Sequence, residues 1–136
     1  MMQTEGLKIL LVDDVQLVLQ RLQILLSTIK SVSRTETSDS AEKTFALLDN
    51  FRPDIILLDI NMPIMNGIDI LKLIRERKDM YPVIIMLTNH AFSIYQDECM
   101  RLGANYFLDK SRDFIQIPFI IKMVQEQKAM QYSSGE

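Results

Sequence analysis

The stretch DIILLDINMPIMNG, Asp54 to Gly67, is the most informative in the chain. Its four consecutive apolar residues, Ile55 to Leu58, are too few for a helix and rich enough in branched side chains to read as a strand buried on both faces. The run stops on a carboxylate, Asp59. Asn61, Pro63, Asn66 and Gly67 follow, a density of turn formers that ends the strand and restricts the loop behind it. Asp59 is therefore expected at the carboxyl end of a central strand, where open parallel sheets bind their ligands.

Working outward, Leu7 to Val12 (LKILLV) is a second short apolar run that also ends in acids, Asp13 and Asp14. From Val15 to about Lys30 the apolar residues recur at three and four, which predicts an amphipathic helix. Ser31 to Thr37 is polar but β-branched and reads as a short strand near a sheet edge. Asp39 with Glu42 three residues later has the spacing of a capping box, placing the next helix from there to about Asn50, with Pro53 blocking its continuation. Ile68, Leu71, Leu73 and Ile74 mark a third helix whose far face carries Lys72, Arg75, Glu76 and Lys78. Val83 to Leu87 (VIIML) is a further buried strand ending on Thr88, Asn89 and His90. Ser93 to Leu102 reads as helix, stopped by Gly103 in a left-handed conformation. Tyr106 to Leu108 is a fifth strand, followed by Asp109 and Lys110. Ser111 to Ile117 is expected to be a turn, and Phe119 to about Gln131 the body of the last helix, with Pro118 in its first turn.

Five strands alternating with five helices predict an α/β, flavodoxin-like, doubly wound parallel sheet in the order 2-1-3-4-5. The length, 136 residues, suits one domain over 1–136, with a core from about 7 to 130 and a polar tail at 131–136. A net charge of -3 argues against direct, non-specific nucleic-acid binding. No apolar run reaches the roughly 20 residues of a membrane span, and the first residues lack a signal-peptide pattern, so a cytoplasmic location is expected. Cys99 is the only cysteine; it excludes an intramolecular disulfide and reads as a small buried hydrophobe.

In that strand order strands 1 and 3 are neighbours, so Asp13, Asp14 and Asp59 converge at one edge, joined by Thr88 and Lys110 from strands 4 and 5. Three clustered carboxylates repel unless a proton or cation lies among them, and hard oxygen donors suit Mg²⁺ or Mn²⁺. A carboxylate is also a nucleophile toward phosphorus, and phosphoryl transfer needs a metal, a cation and a hydroxyl donor around it. Asp59, the metal, Lys110 and Thr88 supply those parts. No Walker-type loop is present as a nucleotide site.

The succession LLVDD, IILLDINMPIMNG, VIIMLT and YFLDK resembles the receiver domain of two-component response regulators, from Leu7 to about Met130. The resemblance implies that Asp59 is the phospho-acceptor, that Asp14 and Asp59 bind Mg²⁺ directly with the backbone carbonyl of Asn61, and that Asp13 reaches the metal through water. It implies that Thr88 and Lys110 contact the phosphoryl group, that Thr88 and Phe107 form the switch, and that Asn61 and His90 tune how fast the phosphoryl group is lost. The expected donor is a sensor histidine kinase or phosphotransfer protein. Two positions depart from the family's pattern: Ser111 stands where proline, often with a cis bond, usually follows the lysine, and Asn89 is larger than the usual residue after the threonine.

Phe119, Ile120, Ile121, Met123 and Val124 spread over more of the last helix than one core stripe requires. A downstream protein, or a second copy in a homodimer, is expected on the face formed by helix 4, strand 5 and helix 5. The tail YSSGE has no room for a DNA-binding or catalytic output domain, so the chain is expected either to act by binding another protein or to be part of a longer one. Two rival readings remain. An aspartate-nucleophile phosphatase needs a general acid two residues after the nucleophile, where Asn61 has no proton to give. A receiver-like module that binds protein without being phosphorylated is compatible with the departures at Asn89 and Ser111.

Overall fold

Leu7–Val12 forms β1, Val32–Ser38 β2, Ile55–Asp59 β3, Val83–Thr88 β4 and Tyr106–Asp109 β5. All pair in parallel, in the order β2-β1-β3-β4-β5. The structure, a computed structural model, describes residues 6–89 and 94–134. The helices are α1 (Gln16–Ser27), α2 (Ala41–Asn50), α3 (Gly67–Glu76), α4 (Gln96–Arg101) and α5 (Gln116–Ser134). None among the described residues is long and apolar enough to cross a membrane.

The uninterrupted apolar run of β3 has a direct cause in packing. Ile55 and Leu57 face the core shared with α1 and α5, while Ile56 and Leu58 face the one shared with α2, α3 and α4. All four are fully buried. A strand's alternation of side-chain direction thus serves two cores, each such side chain contributing roughly 1.5–3 kcal/mol relative to exposure. The polar β2 lies at the sheet edge, as its composition predicts.

The helix ends differ from expectation in detail. The cap of α2 is Ser40 and not Asp39: the Ser40 hydroxyl accepts from the Lys43 N–H at 3.1 Å, which leaves Asp39 outside the helix. The helix then begins one residue later than the Asp39–Glu42 spacing implies. Asn66 caps α3, accepting from the Asp69 N–H at 3.0 Å, and Asp69 in the first turn complements the helix dipole. Arg75, expected on the solvated face of α3, instead lies 3.7 Å from the Tyr81 ring centroid and donates to the Gly103 carbonyl at 2.9 Å. Gly103 has φ +110, the left-handed stop expected after α4. The α4 segment is shorter than Ser93 to Leu102, and the start of that expected range lies outside the described residues.

Cys99 is fully buried on α4. Burial, with the Glu98 charge adding, pushes its thiol up to about 11. The native protein is expected to resist iodoacetamide at pH 8 and to be labelled fully once denatured, read by intact mass.

Candidate functional site

The register of the sheet assembles the site. Val12 pairs with Leu58, so Asp13 and Asp59 leave neighbouring strands at the same level. Asp59 pairs with Leu87, and Thr88 with Asp109, which brings Thr88 and Lys110 to the same edge. Asp13, Asp59 and Thr88 are at most 2% exposed, whereas Asp14 is open to solvent.

Lys110 reaches into the carboxylates from β5. Its Nζ lies 2.6 Å from Asp13 Oδ2 and 2.9 Å from Asp59 Oδ1. Asp13 is further held by the Val15 N–H, which donates to its Oδ1 at 2.9 Å, and Asp59 by the Asn61 N–H at 3.3 Å. Burial, the largest influence, raises the Asp59 carboxyl above the ordinary carboxylate range; Lys110 acts against it and the Asp13 charge with it. For Lys110 burial also has the largest influence and acts downward, but Asp13 and Asp59 together outweigh it and hold the ammonium above the usual lysine range.

Asp13, Asp14 and Asp59 offer oxygens that all lie within 4.8 Å of one another. Three carboxylates against one ammonium leave a formal excess of two negative charges among hard oxygen donors. That charge and donor set fit a divalent cation such as Mg²⁺ or Mn²⁺. Asn61 is exposed at the start of the loop after β3, and half-buried Phe107 packs against the α2–α3–α4 core. His90 lies outside the described residues.

Two supports were not anticipated from sequence. Gly67 opens α3 against the end of β3: its N–H donates to the Ile60 carbonyl at 2.8 Å, and a Cβ there would lie 2.1 Å from the Asp59 carbonyl oxygen. The turn after β5 is built on Asp109, whose Oδ1 accepts from the Ser111 hydroxyl at 2.6 Å. The local signal for the second was present, since an acid two residues before a serine is a turn-forming pair. Among the described residues every peptide bond is trans, including that after Lys110.

These features define a doubly wound α/β protein with an acidic, lysine-bridged site at the carboxyl edge of its sheet. The response regulator receiver domain model matches residues 9–122, and the chain belongs to that family, whose members serve two-component systems. It is 34% identical over 103 residues to the transcriptional regulatory protein YdfI of Bacillus subtilis, covering 76% of this chain and 47% of that protein. The chain spans between 31% and 50% of the length of the first curated relatives it matches. Its fold is that of the signal receiver domain of a DNA-binding response regulator from Colwellia psychrerythraea (TM-score 0.83, 21% identity, 89% of this chain and 99% of that one). It is also that of the receiver domain of the histidine kinase CKI1 from Arabidopsis thaliana, solved with Mg²⁺ and BeF₃⁻ (TM-score 0.72, 23% identity, 88% and 90% covered).

Proposed function

We propose that this chain accepts a phosphoryl group on Asp59, from a sensor histidine kinase or phosphotransfer protein in the cytoplasm, and thereby switches a protein-binding surface. The observation that carries the reading is Lys110 Nζ, buried and bridging Asp13 and Asp59 at 2.6 and 2.9 Å beside a third carboxylate. Family membership and the CKI1 complex with Mg²⁺ and BeF₃⁻ support it.

Asp14, Asp59 and the Asn61 carbonyl would hold Mg²⁺ directly, and Asp13, engaged by Lys110 and the Val15 N–H, would reach it through water. When bound, the cation supplies charge neutralisation for the phosphoryl oxygens. An Asp59 carboxylate oxygen attacks phosphorus, the donor's phosphorus–nitrogen bond breaks, and the departing imidazole nitrogen keeps the electron pair and takes a proton from solvent. Lys110 then pairs with a phosphoryl oxygen and the Thr88 hydroxyl donates to another. Movement of Thr88 toward the phosphoryl group frees space that Phe107 turns into, which shifts the population of the α4–β5–α5 face. On and beside α4 and α5 the side chains of Tyr95, Met100, Phe119 and Met123 are exposed, and a downstream protein or second copy would cover them. Asn61, exposed at the start of the loop after β3, and His90 tune how long the phosphoryl group lasts.

The test is intact mass after incubation with a small-molecule phosphodonor, with and without Mg²⁺. One phosphoryl group added only with metal is expected; no addition by the folded, Mg²⁺-bound protein would replace this reading with that of an unphosphorylated binding module. Metal binding has its own readout. Mg²⁺ at ten times its dissociation constant should stabilise the protein by about 1.4 kcal/mol, and removing it with a chelator should reverse the shift in melting temperature. Asp14→Ala is expected to abolish most of that shift.

A further inference from the structure

The turn after β5 holds two carboxylates that the proposed transfer chemistry does not use. Asp109 and Asp113 are 5% and 7% exposed, unusual burial for acids with no metal role. Asp109 Oδ1 accepts three bonds, from the Ser111 N–H at 2.7 Å, the Ser111 hydroxyl at 2.6 Å and the Arg112 N–H at 3.2 Å. Asp113 closes the ring from the other side: its Oδ2 accepts from the Asp109 N–H at 2.8 Å, and its own N–H donates to the Asp109 carbonyl at 2.8 Å. Asp113 Oδ1 is in turn held by Arg112 Nε and Gln116 Nε2, each at 3.1 Å. The Ser111 hydroxyl first, then its N–H, keep the Asp109 carboxyl below the ordinary carboxylate range, so it is an ionised and strong acceptor.

Lys110 is the residue enclosed by these bonds. Its own N–H donates to the Thr88 carbonyl at 2.7 Å, and the N–H groups on either side of it, of Asp109 and Ser111, end on Asp113 and Asp109. A lysine side chain is long and flexible, with about 2 kcal/mol of rotamer entropy to lose. Fixing its Cα on both sides reduces the conformations that must be searched before Nζ meets two buried oxygens. The Asp109 bonds go to the backbone and hydroxyl donors of the turn, whereas the carboxylates that Lys110 itself meets are those of Asp13 and Asp59.

We infer that Asp109, with Ser111 and Asp113 closing the turn, is a positioning residue for phosphoryl transfer, holding the Lys110 backbone so that its ammonium is delivered to the acceptor carboxylate. The inference rests on the reading of Asp59 as phospho-acceptor. Asp109 is not a plain cap of α5, because its carboxylate bonds Ser111 and Arg112 in the turn, ahead of the helix that begins at Gln116.

The experiment is a double-mutant cycle on the full chain. Rates of phosphoryl incorporation from a small-molecule phosphodonor at saturating Mg²⁺ are compared for wild type, Asp109→Ala, Lys110→Ala and the double variant. Asp109→Ala is expected to slow incorporation on the order of tenfold, the scale of a misplaced reacting group. It should leave Mg²⁺ affinity unchanged and add nothing in the Lys110→Ala background. Asp109→Asn, which keeps an acceptor oxygen, should recover most of the rate, while Ser111→Ala, which removes the 2.6 Å hydroxyl bond to Asp109, should slow incorporation and decides the matter if Asp109→Ala does not fold. Equal slowing in both backgrounds, an unchanged rate in Asp109→Ala, or a Ser111→Ala variant as fast as wild type overturns the inference alone. Wild type that takes no phosphoryl group overturns the proposed function and this inference with it.

Discussion

Asp59→Asn is expected to take up no measurable phosphoryl group, with or without Mg²⁺, a loss of about three orders of magnitude or more. The amide keeps the shape of the side chain but has no charged oxygen to attack phosphorus, and the neighbouring Asp13 carboxylate is engaged by Lys110 and the Val15 N–H. The same substitution should raise stability in metal-free buffer. Asp59 is buried beside Asp13, and its carboxyl is held above the ordinary range, burial contributing most. The folded chain therefore keeps that proton to higher pH than the unfolded chain does. Stability falls as pH climbs through this window, and the asparagine variant, with no proton to lose, does not share the fall. At neutral pH the variant should melt several degrees higher, on the order of 1–2 kcal/mol for a domain of this size. Asp13→Ala should gain less, because it also leaves the Val15 N–H without its acceptor. Intact mass and thermal melts on the same samples check both results, and phosphoryl incorporation persisting in Asp59→Asn would move the acceptor to another residue.

Gly67→Ala should cost several kcal/mol, roughly 3–5, and show as a large fall in denaturation midpoint with the slope unchanged. The glycine is required by space. A Cβ would lie 2.1 Å from the Asp59 carbonyl oxygen and 2.9 Å from both the Asp59 carbonyl carbon and Ile60 Cα. All three are backbone atoms, so no side-chain rotation relieves the clash. The first turn of α3 would have to leave β3, breaking the 2.8 Å bond from the Gly67 N–H to the Ile60 carbonyl. The helix-propensity gain of alanine over glycine, about 1 kcal/mol, does not offset this. Because the displaced segment follows Asp59 directly, Mg²⁺ affinity should fall as well. A variant of unchanged stability would mean that the approach of α3 to β3 is looser than these distances state.

Much of the architecture was legible along the chain. Short apolar runs ending in polar residues marked β1, β3, β4 and β5, polar β-branched residues marked the edge strand β2, and apolar residues recurring at three and four marked the helices, because these patterns follow from side-chain direction in the element itself. The mixed face of α5 was readable for the same reason: Ile120, Ile121 and Val124 are buried while Phe119 and Met123 are exposed. Local competition was less readable. The Asp39–Glu42 spacing pointed to a cap at Asp39, and the backbone path into α2 selects the next residue, Ser40, instead. Gly67 was visible as a turn former, but its role depends on an atom eight residues earlier, which spacing alone does not place.

A parallel sheet with acids and a lysine at one edge was already implied by the chain's periodicity and by the rules of chain connection. How those groups meet is a matter of packing. It buries Asp13 and leaves Asp14 in solvent, brings Lys110 across β4 to two carboxylates, and closes the turn around Lys110 with Asp109 and Asp113. Those choices depend on the register of strands far apart in sequence and on which donors are left without partners after packing, quantities that no local pattern carries.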